Sequence, residues 1–326
     1  MKSAFVTGGS GFLGLNLIVQ LLKKNWKVTA LHLPGEDSPY LSRLKVDKVA
    51  GDILDYKSLV GAIPRKSDVV FHLAGDTSMW PRQAARQYAV NVTGTANACN
   101  AAIEKGADRL VFTSSISAYG YHPGGIIDER TPSNAPSCRM NYNRTKYLAE
   151  QEIIKAIDKG LDAVILNPCN IVGPYDPGNW SQLIKNVYHD RLPGVPPGTG
   201  TFAHVRDIAA AHIAAAEKGR LGENYILGGV RASFGEVIQE IMKITGRSLY
   251  LKKISKTALK AAMYASTFTS LFTGREPMLT YPKYMRMVGT LSCDCTKAIT
   301  ELGFSTGTLR EMLTDCYRWL EQEGLL

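Results

Sequence analysis

The sequence predicts an α/β protein built on a doubly wound parallel sheet, and three observations predict it. Short β-rich runs alternate with stretches of helical periodicity through the first half of the chain. Several of those runs are apolar almost without interruption, the pattern of strands covered by helices on both faces. The first run also feeds a glycine-rich turn that opens a helix. The strand candidates are Ser3–Thr7, Lys27–His32, Lys48–Ala50, Asp68–His72, Arg109–Thr113 and Ala163–Asn167. Beyond Asn167 the composition changes: Gly, Pro and Asn thicken in Pro168–Gly178 and Pro193–Gly200, and one strand-like run, Asn224–Leu227, stands among helical segments. We therefore expect a sheet domain over residues 1–170 and a smaller, loop-rich C-terminal α+β lid over 171–326, with segments near 201–220 returning to the first domain.

Composition supports two domains, since 326 residues at about 150 per domain give roughly that number. With 45% hydrophobic and 21% charged residues, 30 Gly and 15 Pro, the chain is neither collagen-like, disordered nor a small disulfide scaffold. The net charge of +9 comes without a basic run of five or more, so it reads as a solvated surface excess and not as a nucleic-acid site. The six cysteines include no C-x-x-C pair, and Cys293 and Cys295 lack neighbouring histidines, so no metal site is expected and all are read as reduced structural thiols. Met1–Thr7 leads directly into the glycine turn with no leader pattern, and the expected location is cytoplasmic. The most apolar stretch, residues 258–272, is broken by Lys260 and several hydroxyl residues; it reads as lid structure, with contact to a membrane surface or a lipid substrate left open, and no membrane span is expected.

The turn after the first strand reads Thr7-Gly8-Gly9-Ser10-Gly11-Phe12-Leu13-Gly14. Gly8 and Gly11 permit a tight turn and close approach of a diphosphate, Gly14 lets helix pack on strand, and a helix opening at Phe12 and Leu13 supplies amide donors to phosphate. The second strand should end near His32, where NAD-preferring folds usually place an acid against the ribose hydroxyls. None stands there, and Arg43 or Lys45 downstream could reach a 2′-phosphate; NADP(H) is the expected cofactor, with Glu36 and Asp37 keeping NAD(H) as the alternative. Asp52 and Ile53 after the third strand should face the adenine, and Leu73, Ala74 and Gly75 after the fourth should face the pyridine-side ribose.

Tyr142 and Lys146, four apart on a predicted helix, share a face, and an ammonium there can prepare the phenol for proton transfer. The strand Arg109–Thr113 ends in Thr113-Ser114-Ser115, which delivers hydroxyls to the same sheet edge; Ser115 could hydrogen-bond a reacting oxygen beside Tyr142.

Taken in order, the glycine turn, Leu73-Ala74-Gly75, Asn91-Val92-Thr93-Gly94-Thr95, Ser114-Ser115-x-x-x-Tyr119-Gly120, Tyr142-x-x-x-Lys146 and Asn167-Pro168 through Gly173-Pro174 resemble the extended short-chain dehydrogenase/reductases over essentially the whole chain. Phe202–Ala209, Tyr225–Gly229 and Thr273–Pro277 point to the branch that holds dihydroflavonol-reductase-like proteins and hopanoid-associated sugar epimerases. The resemblance implies a Rossmann-type dinucleotide-binding domain followed by a substrate-binding lid. It also implies roles: Tyr142 the catalytic acid/base, Lys146 its pKa modulator and ribose ligand, Ser115 the group that polarises the substrate oxygen (with Ser114 the alternative), and Asn91 a support of the site or a proton relay. Thr113, Pro168 and Asn170 would lie along the cofactor, and Thr77, Trp80 and Arg206 are candidates for the substrate side.

Three activities are weighed. Reduction of an apolar carbonyl compound (aldehyde, ketone, flavonoid- or steroid-like) is preferred. Nucleotide-sugar epimerisation is the alternative, disfavoured because Ile116 and Ser117 stand where the family's dehydratases carry acids and Gly200-Thr201 stand where its nucleotide-sugar enzymes keep a phosphate-gripping arginine; Arg206 or Arg231 could replace that arginine. A non-catalytic dinucleotide sensor needs neither the serine, the tyrosine nor the lysine. The expected partners are a small-molecule substrate and a second copy in a homodimer.

Overall fold

The structure, a computed structural model, describes every residue except Asp37 and Pro177, so the reading of Asp37 as a ribose ligand lies outside the described residues. The chain starts in the middle of its sheet. From β1 (Ser3–Thr7), β2 (Lys27–His32) and β3 (Asp47–Ala50) are added on one side, with α1 (Phe12–Lys23) and α2 (Pro39–Ser42) between them. After α3 (Tyr56–Ala62), β4 (Val69–His72) pairs with the other side of β1. Helices α4 (Ala84–Tyr88) and α5 (Gly94–Lys105) then lead to β5 (Arg109–Thr113); a short β6 (Ile126–Ile127) and α6 (Asn141–Ile157) lead to β7 (Ala163–Pro168).

The remaining elements are shared between two sheets. β8 (Asn170–Val172), α7 (Trp180–Tyr188) and β9 (Thr199–His204) start the second layer, and α8 (Val205–Lys218) crosses back to pack on α1. β10 (Asn224–Leu227) then pairs in parallel with β7. β11 (Val230–Ser233) completes a three-stranded sheet in the order β11-β9-β8, followed by α9 (Phe234–Thr245), α10 (Lys256–Thr273), α11 (Tyr281–Val288), β12 (Ser292–Cys293), α12 (Thr296–Leu302) and α13 (Leu309–Gln322). The main sheet thus has seven parallel strands in the order β10-β7-β5-β4-β1-β2-β3. Asn224–Leu227, read from sequence as a strand within the lid region, is the edge strand of this main sheet; a four-residue apolar run carries no record of its neighbour, and the neighbour here is β7.

Alternation along the strands separates two cores. Ala4 and Val6 of β1 face α1 and α8 with Leu17, Ile18 and Ile208, whereas Phe5 faces the other layer with Leu59, Ala98 and Ile153. Both faces are covered, which is why the strands are continuously apolar, and each fully buried large side chain contributes about 1.5–3 kcal/mol. Strand order reverses between β1 and β4, and a crevice opens there at the carboxyl ends, where ligands of such sheets bind.

Candidate active site

On the first side of the crevice the chain is shaped by backbone contacts. Gly8 has φ +66°, and a β-carbon there would stand 2.9 Å from the Ala74 amide nitrogen. Gly14 packs so close that its β-carbon would collide with the Gly8 carbonyl. The Thr7 hydroxyl accepts from the amides of Leu73 and Ala74, both at 3.1 Å, and meets the buried His72 imidazole at 2.8 Å. Burial pushes His72 down to about 3, so this ring is a neutral strut between β1 and α5. Helix α1 opens after Gly11, and no side chain caps its first turn, so the amides at Phe12 and Leu13 face the crevice free of a carboxylate or hydroxyl. Gly75 extends the same surface; a β-carbon there would come within 3.3 Å of Asn91 Oδ1 and 3.6 Å of Lys146 Nζ.

Further along this side, His32 ends β2 with its Nδ1 on the Leu33 carbonyl, and the Glu36 carboxylate accepts from the Leu33 amide at 3.2 Å. Arg43 lies over the Tyr40 ring and donates to the Glu323 carboxylate at 3.0 Å, an exposed ion pair. The Asp52 carboxylate accepts from the Leu54 amide, and Ile53 packs beneath Gly94.

On the second side, segments from most of the chain meet around the ends of β5 and α6. Ser115 follows β5, its hydroxyl accepting from the Ser117 amide at 3.2 Å, and Tyr142 stands in the first turn of α6; both line a largely apolar pocket. The Ser114 hydroxyl points away from that pocket and donates to Glu150, which also accepts from Asn167 at 2.7 Å. Burial pushes the Tyr142 phenol above its ordinary value, while the Ser115 hydroxyl and the Arg286 guanidinium beside it favour the phenolate. Lys146 is buried, donates to the Thr113 carbonyl at 2.9 Å and lies over the Phe112 ring. Desolvation lowers it to about 8, and its charge acts along β5 and toward Glu150 rather than on the phenol. The Thr113 hydroxyl is taken by His212, whose Nδ1 donates to the Ile208 carbonyl, leaving Nε2 to accept at 2.8 Å.

Asn91 lies in a π-helical turn between α4 and α5, a distortion that re-aims side chains. Its amide clamps the loop after β4 to α6: Oδ1 accepts from the Asp76 amide at 2.7 Å, and Nδ2 donates to the Asp76 carbonyl and the Thr145 hydroxyl. Pro168 closes β7, and Asn170 donates to the Thr201 carbonyl while lining the pocket.

The structure brings Ser115, Tyr142, Lys146, Gly75 and Asn91 to one place and corrects the substrate side. Trp80 is absent from the described pocket lining; Met79 takes that place, and Trp80 turns toward Arg82. Thr77 is exposed on the loop beyond Asp76. Arg206, at the start of α8, is bound to Asp207 at 3.2 Å and approaches Asp315, away from the pocket, because β9 ends there and turns toward α13. Arg231 is exposed on β11. The cation that does line the pocket is Arg286 of α11, which makes no ion pair among the described residues and stands beside Met285. Burial depresses its guanidinium, and only its proximity to Tyr142 opposes this. Sequence reading missed it, because the sole local signal is an arginine three positions before Gly289 on a short helix with a strong apolar face. Among the described residues no cluster of His, Cys, Asp or Glu is arranged to hold a metal.

Comparison with known proteins settles the family. The profile of the NAD dependent epimerase/dehydratase family matches residues 4–228. The chain belongs to this family. Family membership makes it an NAD(P)-dependent enzyme of the extended short-chain dehydrogenase/reductase type. It is 29% identical to a putative dihydroflavonol 4-reductase of Synechocystis sp. over 98% of this chain and 95% of that protein. It is also 29% identical to sterol demethylase protein B of Methylococcus capsulatus, over 99% and 100% of the two chains. The crystal structure of gox2253 superposes with a TM-score of 0.87 at 29% identity, covering 100% of both chains. The uncapped α1 terminus and the glycine turn that a β-carbon would fill fit the family's dinucleotide.

Proposed function

We propose that this enzyme reduces an apolar aldehyde or ketone to the alcohol, with NADP(H) as the preferred dinucleotide. The observation that carries the reading is the wall around Ser115 and Tyr142: Met79, Trp180, Phe202, Phe234 and Met285 form it, a surface suited to an apolar body and poor for a hydrated sugar. Ile116 and Ser117, where water elimination would need acids, add to it. The similarity to a protein named for dihydroflavonol reduction agrees with this direction.

When bound, the dinucleotide supplies the hydride. Tyr142 then gives its proton to the substrate oxygen while the Ser115 hydroxyl donates to the same atom, steadying the charge that gathers there. Lys146 holds the nicotinamide ribose, and Asn91 is a positioning residue that keeps the Gly75–Asp76 loop against α6. Gly8, Gly11, Phe12, Leu13 and Gly14 hold the diphosphate, Asp52 and Ile53 the adenine side, and Leu73, Ala74, Thr113, Pro168 and Asn170 line the rest of the cofactor's path. His32 and Arg43 favour the 2′-phosphate. The Arg43–Glu323 pair is solvent-exposed and therefore weak, so a phosphate can take the guanidinium from Glu323.

One observation favours a second reading. Arg286 is a cation without a carboxylate in the pocket that it lines, and a sugar nucleotide's phosphates would satisfy it, which favours nucleotide-sugar epimerisation. The two readings differ in cofactor turnover: a reductase consumes reduced dinucleotide in proportion to product, and an epimerase returns it. The enzyme is mixed with NADPH or NADH and with panels of aromatic, aliphatic and steroidal carbonyls or of UDP-, GDP- and dTDP-sugars. Loss of reduced-nicotinamide absorbance with carbonyls alone, faster with NADPH, is expected. Epimer formation from a sugar nucleotide without cofactor loss would replace the reading.

A further inference from the structure

Helix α10 is the least covered long element of the fold. Of its 18 residues, Leu259, Met263 and Ser270 are buried, and with Ser266 they form one narrow stripe facing the molecule. At 100° per residue, the side turned away from the molecule carries Tyr264, Phe268 and Phe272 with Leu271 on its flank, exposed by 61–77%, and Met278 in the following loop is 87% exposed. A soluble helix places such residues inward; here they point outward, with Phe268 and Phe272 packed edge to face on each other at 5.1 Å. The charge around them is predominantly positive, and the one carboxylate in the following loop, Glu276, is paired with Lys283 at 2.8 Å. From Ile241 to Arg275 the chain contains Lys243, Arg247, Lys252, Lys253, Lys256, Lys260 and Arg275 and no acidic residue. The last five are exposed and make no ion pair among the described residues.

We propose that α10 and the loop after it are a docking surface for an anionic lipid bilayer. Phe268, Leu271, Phe272 and Met278 enter the headgroup–acyl boundary, and Lys252, Lys253, Lys256 and Lys260 with Arg275 contact lipid phosphates. The combination of aromatic and aliphatic residues with flanking cations is what an interfacial helix requires. No helix of the described residues is long and apolar enough to cross a membrane, so the contact lies in the interface plane. A second copy of the chain fits this surface worse, because pairing the two faces would oppose five uncompensated cations with five more. Docking here also reaches the pocket. Helix α10 packs against α11, the Leu279 amide donates to the Ser266 hydroxyl at 3.1 Å, and α11 supplies Pro282, Met285 and Arg286 to the pocket wall. A bilayer on α10 therefore lies beside the wall of the pocket. Docking of the bilayer on α10 is independent of which reaction the pocket performs.

The test is co-sedimentation of the full chain with vesicles of phosphatidylcholine alone or with phosphatidylglycerol added, at low and high salt. The chain is expected to pellet with the anionic vesicles, to remain in the supernatant with phosphatidylcholine, and to be released by salt. Two variants report separately: Phe268→Ser/Leu271→Ser/Phe272→Ser, and Lys252→Glu/Lys253→Glu/Lys256→Glu/Lys260→Glu. Each should weaken partitioning by about tenfold or more, since the basic residues supply the attraction to the anionic surface and the aromatic face supplies the apolar part. Both should keep the wild-type melting temperature and dinucleotide affinity, because every substituted side chain is exposed. Absence of binding, binding indifferent to lipid charge, or binding unchanged in both variants overturns the proposal. So does a wild-type dimer in sedimentation velocity that the Phe268/Leu271/Phe272 variant converts to monomer.

Discussion

The two sides of the crevice are held by different parts of the chain. The side we assign to the dinucleotide is made by backbone at close quarters: Gly8 against Ala74, Gly14 against the Gly8 carbonyl, and Thr7 on the amides of Leu73 and Ala74. All of these residues come from two stretches, the end of β1 with the turn after it and the loop after β4. On the substrate side the surface is made of side chains, Met79, Ser115, Tyr142, Trp180, Phe202, Phe234 and Arg286, contributed by segments scattered over most of the chain. A backbone cradle serves one ligand shape and tolerates little change, whereas a wall of side chains can be resurfaced without disturbing the sheet. The fixed side suits the shared dinucleotide and the variable side suits a private substrate.

Tyr142 stands where the two sides meet, so its loss is expected to have the largest effect. Tyr142→Phe removes one hydroxyl and leaves the cradle intact. Turnover should fall by about 10²–10⁴-fold while the dinucleotide dissociation constant stays within a factor of two or so. Steady-state kinetics beside a fluorescence titration checks both halves. Equal losses in the two would mean that Tyr142 belongs to the cradle, and the comparison would break.

Gly8→Ala attacks the cradle alone. Its φ of +66° strains an L-residue by about 1–2 kcal/mol, and the new methyl would press on the Ala74 amide. Dinucleotide affinity should fall by about tenfold, with turnover at saturating cofactor nearly kept, as isothermal titration and saturation kinetics would show. A variant with wild-type affinity would remove the glycine turn from the phosphate site.

The same contrast explains what was legible in the sequence. The cradle depends on glycine spacing and on a strand followed by a helix, and both are local, so Gly8, Gly11 and Gly14 could be placed by counting. The parallel sheet was legible because burial on both faces leaves apolar runs such as Val69–Phe71. That the strand-like run of β10 joins the main sheet is not legible locally, because pairing with β7 is a long-range event. Ser115 and Ser114 are adjacent, and only the geometry after β5 shows that one lines the pocket while the other binds Glu150. Met79 in place of Trp80 is likewise a question of which way a loop residue points. Arg286 and Tyr142 are on helices far apart in sequence, and no spacing rule connects them.

That connection yields the smallest and most diagnostic effect. Burial, with the Asp76 carboxylate, opposes ionisation of the Tyr142 phenol, and Ser115 and Arg286 favour its ionised form. Arg286→Met removes a positive charge and keeps an apolar stem, so the phenol's pKa must rise further above its ordinary value. Alcohol oxidation needs Tyr142 as a base, hence ionised, and its rate climbs with pH through the phenol's titration; in the variant that climb should move to higher pH. Carbonyl reduction needs the phenol protonated, so at neutral pH it should change by no more than about threefold if the substrate is an uncharged apolar carbonyl. Lys146, lowered to about 8 by burial, titrates in both proteins alike, and the difference between the two profiles isolates the phenol. The KM for the substrate is the second readout. An unchanged KM with a shifted oxidation profile keeps Arg286 as an electrostatic neighbour of Tyr142, whereas a KM raised by about tenfold or more would mean that the guanidinium grips an anionic group of the substrate. In that case the variable side of the crevice would hold its own anion site, and the apolar-carbonyl reading would give way to a substrate carrying phosphate or carboxylate.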